Sequence, residues 1–132
     1  MTLPCLTRDE AAWVIAARLR ALAAGPLDAP RTWQEVAARL CLRYEECNAP
    51  GRSRGEYHPS PGEGAACGIV VNTAYPESEQ ARAAIHEIAH HALHVWIPPQ
   101  LTDAADCYCY AGDVDEARHD IARAVEALVM CG

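Results

Sequence analysis

Residues 76–97 constrain the fold more than any other stretch. Pro76 stands at a helix start, and the acidic Glu77 and Glu79 suit the positive end of a helix dipole. Apolar side chains then recur at 81, 84, 85, 88, 89, 92 and 93, and Pro98-Pro99 ends the pattern. A stripe of this kind must be covered by other elements, so the remaining chain is expected to pack around this helix. The same helix carries His86, His90, His91 and His94, four of the six histidines in the sequence, so its polar positions call for a chemical explanation.

Shorter signals place the other elements. Thr7 and Glu10 have capping-box spacing ahead of Ala11, Val14, Ile15 and Leu19, which predicts a helix over about 8–23. Gly25 and Pro26 stop it, and Pro30 or Thr32 starts a second helix through Trp33, Val36, Ala37 and Leu40. Residues 41–47 alternate weakly as a strand. The stretch 48–64 holds three Pro and four Gly and reads as loop, with a hairpin arm near Tyr57. Gly68-Ile-Val-Val-Asn-Thr is a β-branched run of the buried-strand type, either wholly internal or offering an edge to an extended peptide. A loop over 100–112 leads to a last helix from Asp113 to about Met130, with Val114, Ala117, Ile121, Val125 and Leu128 on one face.

The expected fold is therefore α+β, about four helices packed on a small, partly antiparallel sheet. One domain spans 1–132: a helical part to about 42, a strand and central helix over about 43–97, and the last helix over about 113–130. A chain of 132 residues can bury about two-thirds of its unfolded surface around one core. Its net charge of −7 with no basic run argues against direct nucleic-acid binding. Arg8, Asp9, Glu10, Arg18 and Arg20 interrupt any signal-peptide core, and no stretch has the apolar length of a membrane span. Seven cysteines without an export signal suggest reduced thiols and a cytoplasmic setting.

His86-Glu-Ile-Ala-His90 puts two imidazoles one helical turn apart on one face, where both reach a single Zn2+. Glu87, rotated about 100° from His86, is placed to act as general acid/base on a water rather than as a ligand. A catalytic zinc needs a third protein ligand. The downstream donors are Cys107, Cys109, Asp113, Asp115, Glu116, His119 and Asp120. Glu116 is favoured because Asp120, one turn later, can accept the free N–H of a ligating histidine; His119 and Asp120 are the alternatives. His91 reads as a surface or supporting residue and His94 as a residue that orients a ligand or lines the pocket. Cys107 and Cys109 lack the second pair of a structural zinc site and read as ordinary thiols. Tyr108 and Tyr110 are core or rim tyrosines, or oxyanion donors should their loop fold over the metal.

The segment Ala81-Arg-Ala-Ala-Ile-His-Glu-Ile-Ala-His-His-Ala-Leu-His94 resembles the active-site helix of the ImmA/IrrE metallopeptidases, and the order of elements over roughly 30–130 is similar. The resemblance implies a minimal zincin-like domain, a gluzincin-type zinc endopeptidase in which His86, His90 and Glu116 bind zinc and Glu87 is catalytic. It also implies a protein substrate, a helix-turn-helix transcriptional repressor whose cleavage releases stress-response or mobile-element genes. The last helix departs from the family pattern, with Glu116-Ala-Arg-His-Asp120 lacking its Ala-Asn pair. That departure motivates an alternative: a zincin-fold binding module or regulator with weak or absent proteolysis.

Overall fold

A computed structural model describes residues 6–59, 67–97 and 114–131. The elements in chain order are α1 (Arg8–Leu22), α2 (Pro30–Arg39), β1 (Arg43–Cys47), β2 (Gly55–His58), β3 (Gly68–Asn72), α3 (Glu77–Val95) and α4 (Val114–Cys131). Among the described residues the architecture is α+β, four helices packed on a three-stranded mixed sheet.

Local chemistry sets the helix ends. At α1 the capping box forms as its spacing predicts, with Glu10 N–H donating to Thr7 Oγ1 and Thr7 N–H to Glu10 Oε1, both at 3.1 Å. At the end of α2, Cys41 adopts φ 58°, its N–H bonds Ala38 O, and Leu42 N–H bonds Ala37 O. This is a Schellman motif with cysteine in the left-handed position that usually takes glycine. Pro76, expected at the helix start, occupies the N-cap position, and α3 begins one residue later at Glu77.

The sheet order is β1-β3-β2, with β1 parallel and β2 antiparallel to β3. β3 is thus the middle strand, both neighbours taken, and four of its five residues are buried. Of the two roles considered for this segment, the internal one holds. The edge beside the site belongs instead to β2, the arm around Tyr57.

Asn72 ends β3 and anchors the loop between β1 and β2. Its Oδ1 accepts from the Ala49 and Ala74 amides, its Nδ2 donates to Ala49 and Ser53 carbonyls, and its own N–H donates to Arg54 O at 2.8 Å. Buried at 1% exposure, it leaves none of these groups unmet and so fixes where β2 begins.

The core lies between the sheet, α3 and the other helices. Ile85, Ile88, Ala89, Ala92 and Leu93 of α3 meet Ile69 and Val71 of β3, Trp33 and Val36 of α2, and Ile121, Val125 and Val129 of α4. The Trp33 indole N–H donates to Leu27 O at 2.8 Å, which permits its complete burial. α4 packs against both α3 and α1, so the first helix backs the last. Among the described residues no helix is long and apolar enough to cross a membrane.

Candidate metal centre

His86 and His90 project from one face of α3, their ring centroids 5.0 Å apart, as expected of residues separated by four in a helix. The third member of the group differs from the one expected. His119 of α4 stands 6.1 Å from His86 and 4.7 Å from His90, centroid to centroid. One nitrogen from each of the three imidazoles lies within 4.8 Å of the others, close enough to bind one metal ion. Glu116 does not join this group; it is exposed on the first turn of α4. Asp120 is held elsewhere, 2.6 Å from Arg8 and 3.6 Å from Arg123. The ligand set to which the geometry points is therefore His86, His90 and His119, with His119 in the place expected for Glu116.

The donor chemistry fits a divalent cation. Burial first, then the neighbouring His86, His119 and Arg118, lower His90 to about 4, so its ring presents lone pairs rather than charge at neutral pH. His86 Nδ1 is buried and makes no well-aligned hydrogen bond, although Glu126 Oε2 lies 3.4 Å away. A carboxylate beside the rear nitrogen of a ligand imidazole is the usual device that fixes the ring and strengthens it as a donor.

Glu126 fills the supporting part that the sequence reading gave to Asp120. Its side chain is 11% exposed and meets Arg54 through two bonds, Nη1 to Oε1 at 3.1 Å and Nη2 to Oε2 at 3.2 Å. Burial acts to raise its pKa, but the His86 contact and the Arg54 guanidinium outweigh this and hold it at about 2. Arg54 also binds Glu79 at 3.0 Å, so the residue just ahead of β2 ties that strand to α3 and α4. Sequence reasoning missed both residues. A buried glutamate on an otherwise apolar helix face was the available signal for Glu126.

Glu87 is 8% exposed and lines the same cleft. Burial raises its pKa against the pull of His86 and Arg54, which makes it a better proton acceptor than an ordinary surface glutamate. Gly55 explains how it fits. A Cβ there would lie 3.0 Å from Val70 O and 3.3 Å from Glu87 Cγ, so any side chain at this position would crowd the strand and this carboxylate.

The Tyr57 ring lies parallel to His90, centroids 6.5 Å apart, and its hydroxyl is 3.1 Å from His91 Nδ1. Burial and a hydrogen bond with Cys67 raise its pKa, so the phenol stays protonated. His91 is buried as a support for Tyr57, while His94 is exposed and meets the Tyr57 ring edge-on rather than lining the cleft. None of Cys41, Cys47, Cys67 and Cys131 is in a disulfide. Asp113, Cys107, Cys109, Tyr108 and Tyr110 lie outside the described residues.

These groups surround a cleft of about 680 Å³ with α3 as its floor, β2 along one side and α4 along the other. Comparison with known proteins returned no matching family model, no matching curated protein and no matching solved structure.

Proposed function

We propose that this chain is a zinc-dependent peptidase acting on a protein partner. The observation that carries the reading is the meeting of His86, His90 and His119 within 4.8 Å of one another, in a cleft that Glu87 also lines. Zinc held by three imidazoles supplies a Lewis acid that polarises a carbonyl and acidifies water. The remaining work falls to the protein's own side chains. Glu87 takes the proton of the attacking water and passes it to the leaving amine, a shuttle that its raised pKa favours. β2 supports an extended peptide by main-chain hydrogen bonds, because among the described strands its outer side is unpaired. Glu126 holds His86 in place from behind, while Tyr57, its hydroxyl on His91, lines the cleft beside His90.

The family resemblance supplies the first substrate to try, a helix-turn-helix repressor, and a cytoplasmic setting goes with it. The test is metal analysis followed by digestion. The chain is expected to bind about one zinc, to cut a repressor or a proteome-derived peptide library, and to lose cutting in Glu87→Gln while keeping its metal. A Glu87→Gln protein that cuts as well as the wild type overturns the mechanism, and a chain that takes up no zinc overturns the site.

A further inference from the structure

Arg118 is the one arginine among the described residues of α4 that lines the cleft. The other arginines on or against this part of the molecule are paired: Arg8 and Arg123 with Asp120, Arg54 and Arg82 with Glu126. Arg118 forms no ion pair with a described carboxylate, and its Nε is buried without a hydrogen-bond partner. Asp115, one turn earlier on the same helix, also lines the cleft. Glu56 across the cleft is engaged by His58 at 3.1 Å, and Glu87 faces the imidazoles. Arg118 lines the same cleft as His90 on its floor and Tyr57 on its far wall.

The ligand set adds to this imbalance. Three neutral imidazoles leave a divalent ion's charge undiminished, whereas a glutamate ligand in place of His119 would remove one unit. A half-covered guanidinium beside such a centre gains charge-assisted hydrogen bonds only when a ligand brings the acceptor oxygens.

We propose that Arg118 forms a carboxylate-recognising subsite of the cleft, so that the preferred substrate carries an acidic side chain next to the bond that is cut. The proposal rests on the metallopeptidase reading and deepens it. A peptide added at the β2 edge sends alternate side chains to the two faces of the sheet, and those on the cleft face share the cleft with Arg118 of α4. The acid on the substrate takes the guanidinium while Glu87 is left free for the proton.

Two probes share one zinc-binding group and differ only in a carboxylate: butyrohydroxamate and succinic acid monohydroxamate. Their binding to the zinc-loaded full chain is measured by calorimetry at near-physiological salt, where long-range repulsion from the net negative protein is screened within about 8 Å. The acidic probe is expected to bind the wild type about tenfold more tightly than the neutral one, the scale of one charge-assisted interaction. Arg118→Gln should lose that preference while keeping its zinc and its affinity for butyrohydroxamate, and Arg118→Lys should keep part of it. Equal binding of both probes by the wild type overturns the subsite and leaves the metal reading standing. Equal weakening of both in Arg118→Gln overturns it too, by assigning Arg118 to the reacting carbonyl or to the fold. A zinc-loaded wild type that binds neither probe overturns the open metal position together with the subsite.

Discussion

The His119 imidazole and the Glu116 carboxylate sit three residues apart on α4, about 60° apart around the helix, and this small angle separates a member of the histidine group from a surface acid. Replacing each with alanine tests the assignment. His119→Ala should weaken zinc binding by more than the roughly 10–100-fold that loss of an outer supporting group costs, and Glu116→Ala should leave it nearly unchanged. The reverse ranking in a chelator-competition titration would return the ligand position to Glu116. Glu126→Gln removes the charge behind His86 and one partner of Arg54, and should itself lower zinc affinity by about 10–100-fold. An unchanged affinity would reduce Glu126 to a structural ion-pair partner. The histidine pair on α3 was legible in the sequence because both members lie on one helix, where spacing alone sets direction. The third histidine of the group was not, since its place depends on how α4 is rotated against α3, and that rotation is decided by Ile121, Val125 and Val129 in the core.

Among the elements, the long helices declared themselves through periodicity and caps, while the sheet did so only in part. β3 was legible as a β-branched run, but its middle position was not, because strand order depends on the parallel pairing of β1 across the loop that Asn72 anchors. β2 is four residues long in a glycine- and proline-rich stretch, and its pairing comes from Ile69 and Val71 opposite rather than from its own propensity. The junction after α2 gives a measurable consequence. Cys41 holds φ 58° with a side chain that crowds the backbone, at a cost of about 1–2 kcal/mol for an ordinary residue. Cys41→Gly should therefore raise unfolding stability by about 1 kcal/mol after allowing for glycine's greater freedom in the unfolded chain. Urea denaturation checks this, and a loss of stability would show that the Cys41 thiol contributes packing its exposure does not suggest.

At the scale of the molecule, the alkaline limit of stability is set in part by Tyr44 of β1, which packs against the core. Burial, then the charge of Glu46, raise its phenol to about 12 from an ordinary value of 10.0. A raised folded pKa means that the protonated form favours the folded state. The contribution is complete below pH 10 and is lost as pH climbs from about 10 to about 12. Tyr44→Phe should flatten the fall in stability across that window, and denaturation midpoints at pH 9 and 11 compare the two. An identical slope in both proteins would place the alkaline sensitivity elsewhere.

The packing of α1 against α4 bears on the order in which the protein matures. Arg8 reaches Asp120 and Arg54 reaches Glu126, contacts between residues 112 and 72 positions apart, so the wall that bears His119 docks only once α4 is present together with α1. During synthesis the His-Glu-Ile-Ala-His helix leaves the ribosome well before α4 does. For that interval two imidazoles stand without the third, which delays assembly of the three-histidine centre until the last helix has closed on the first.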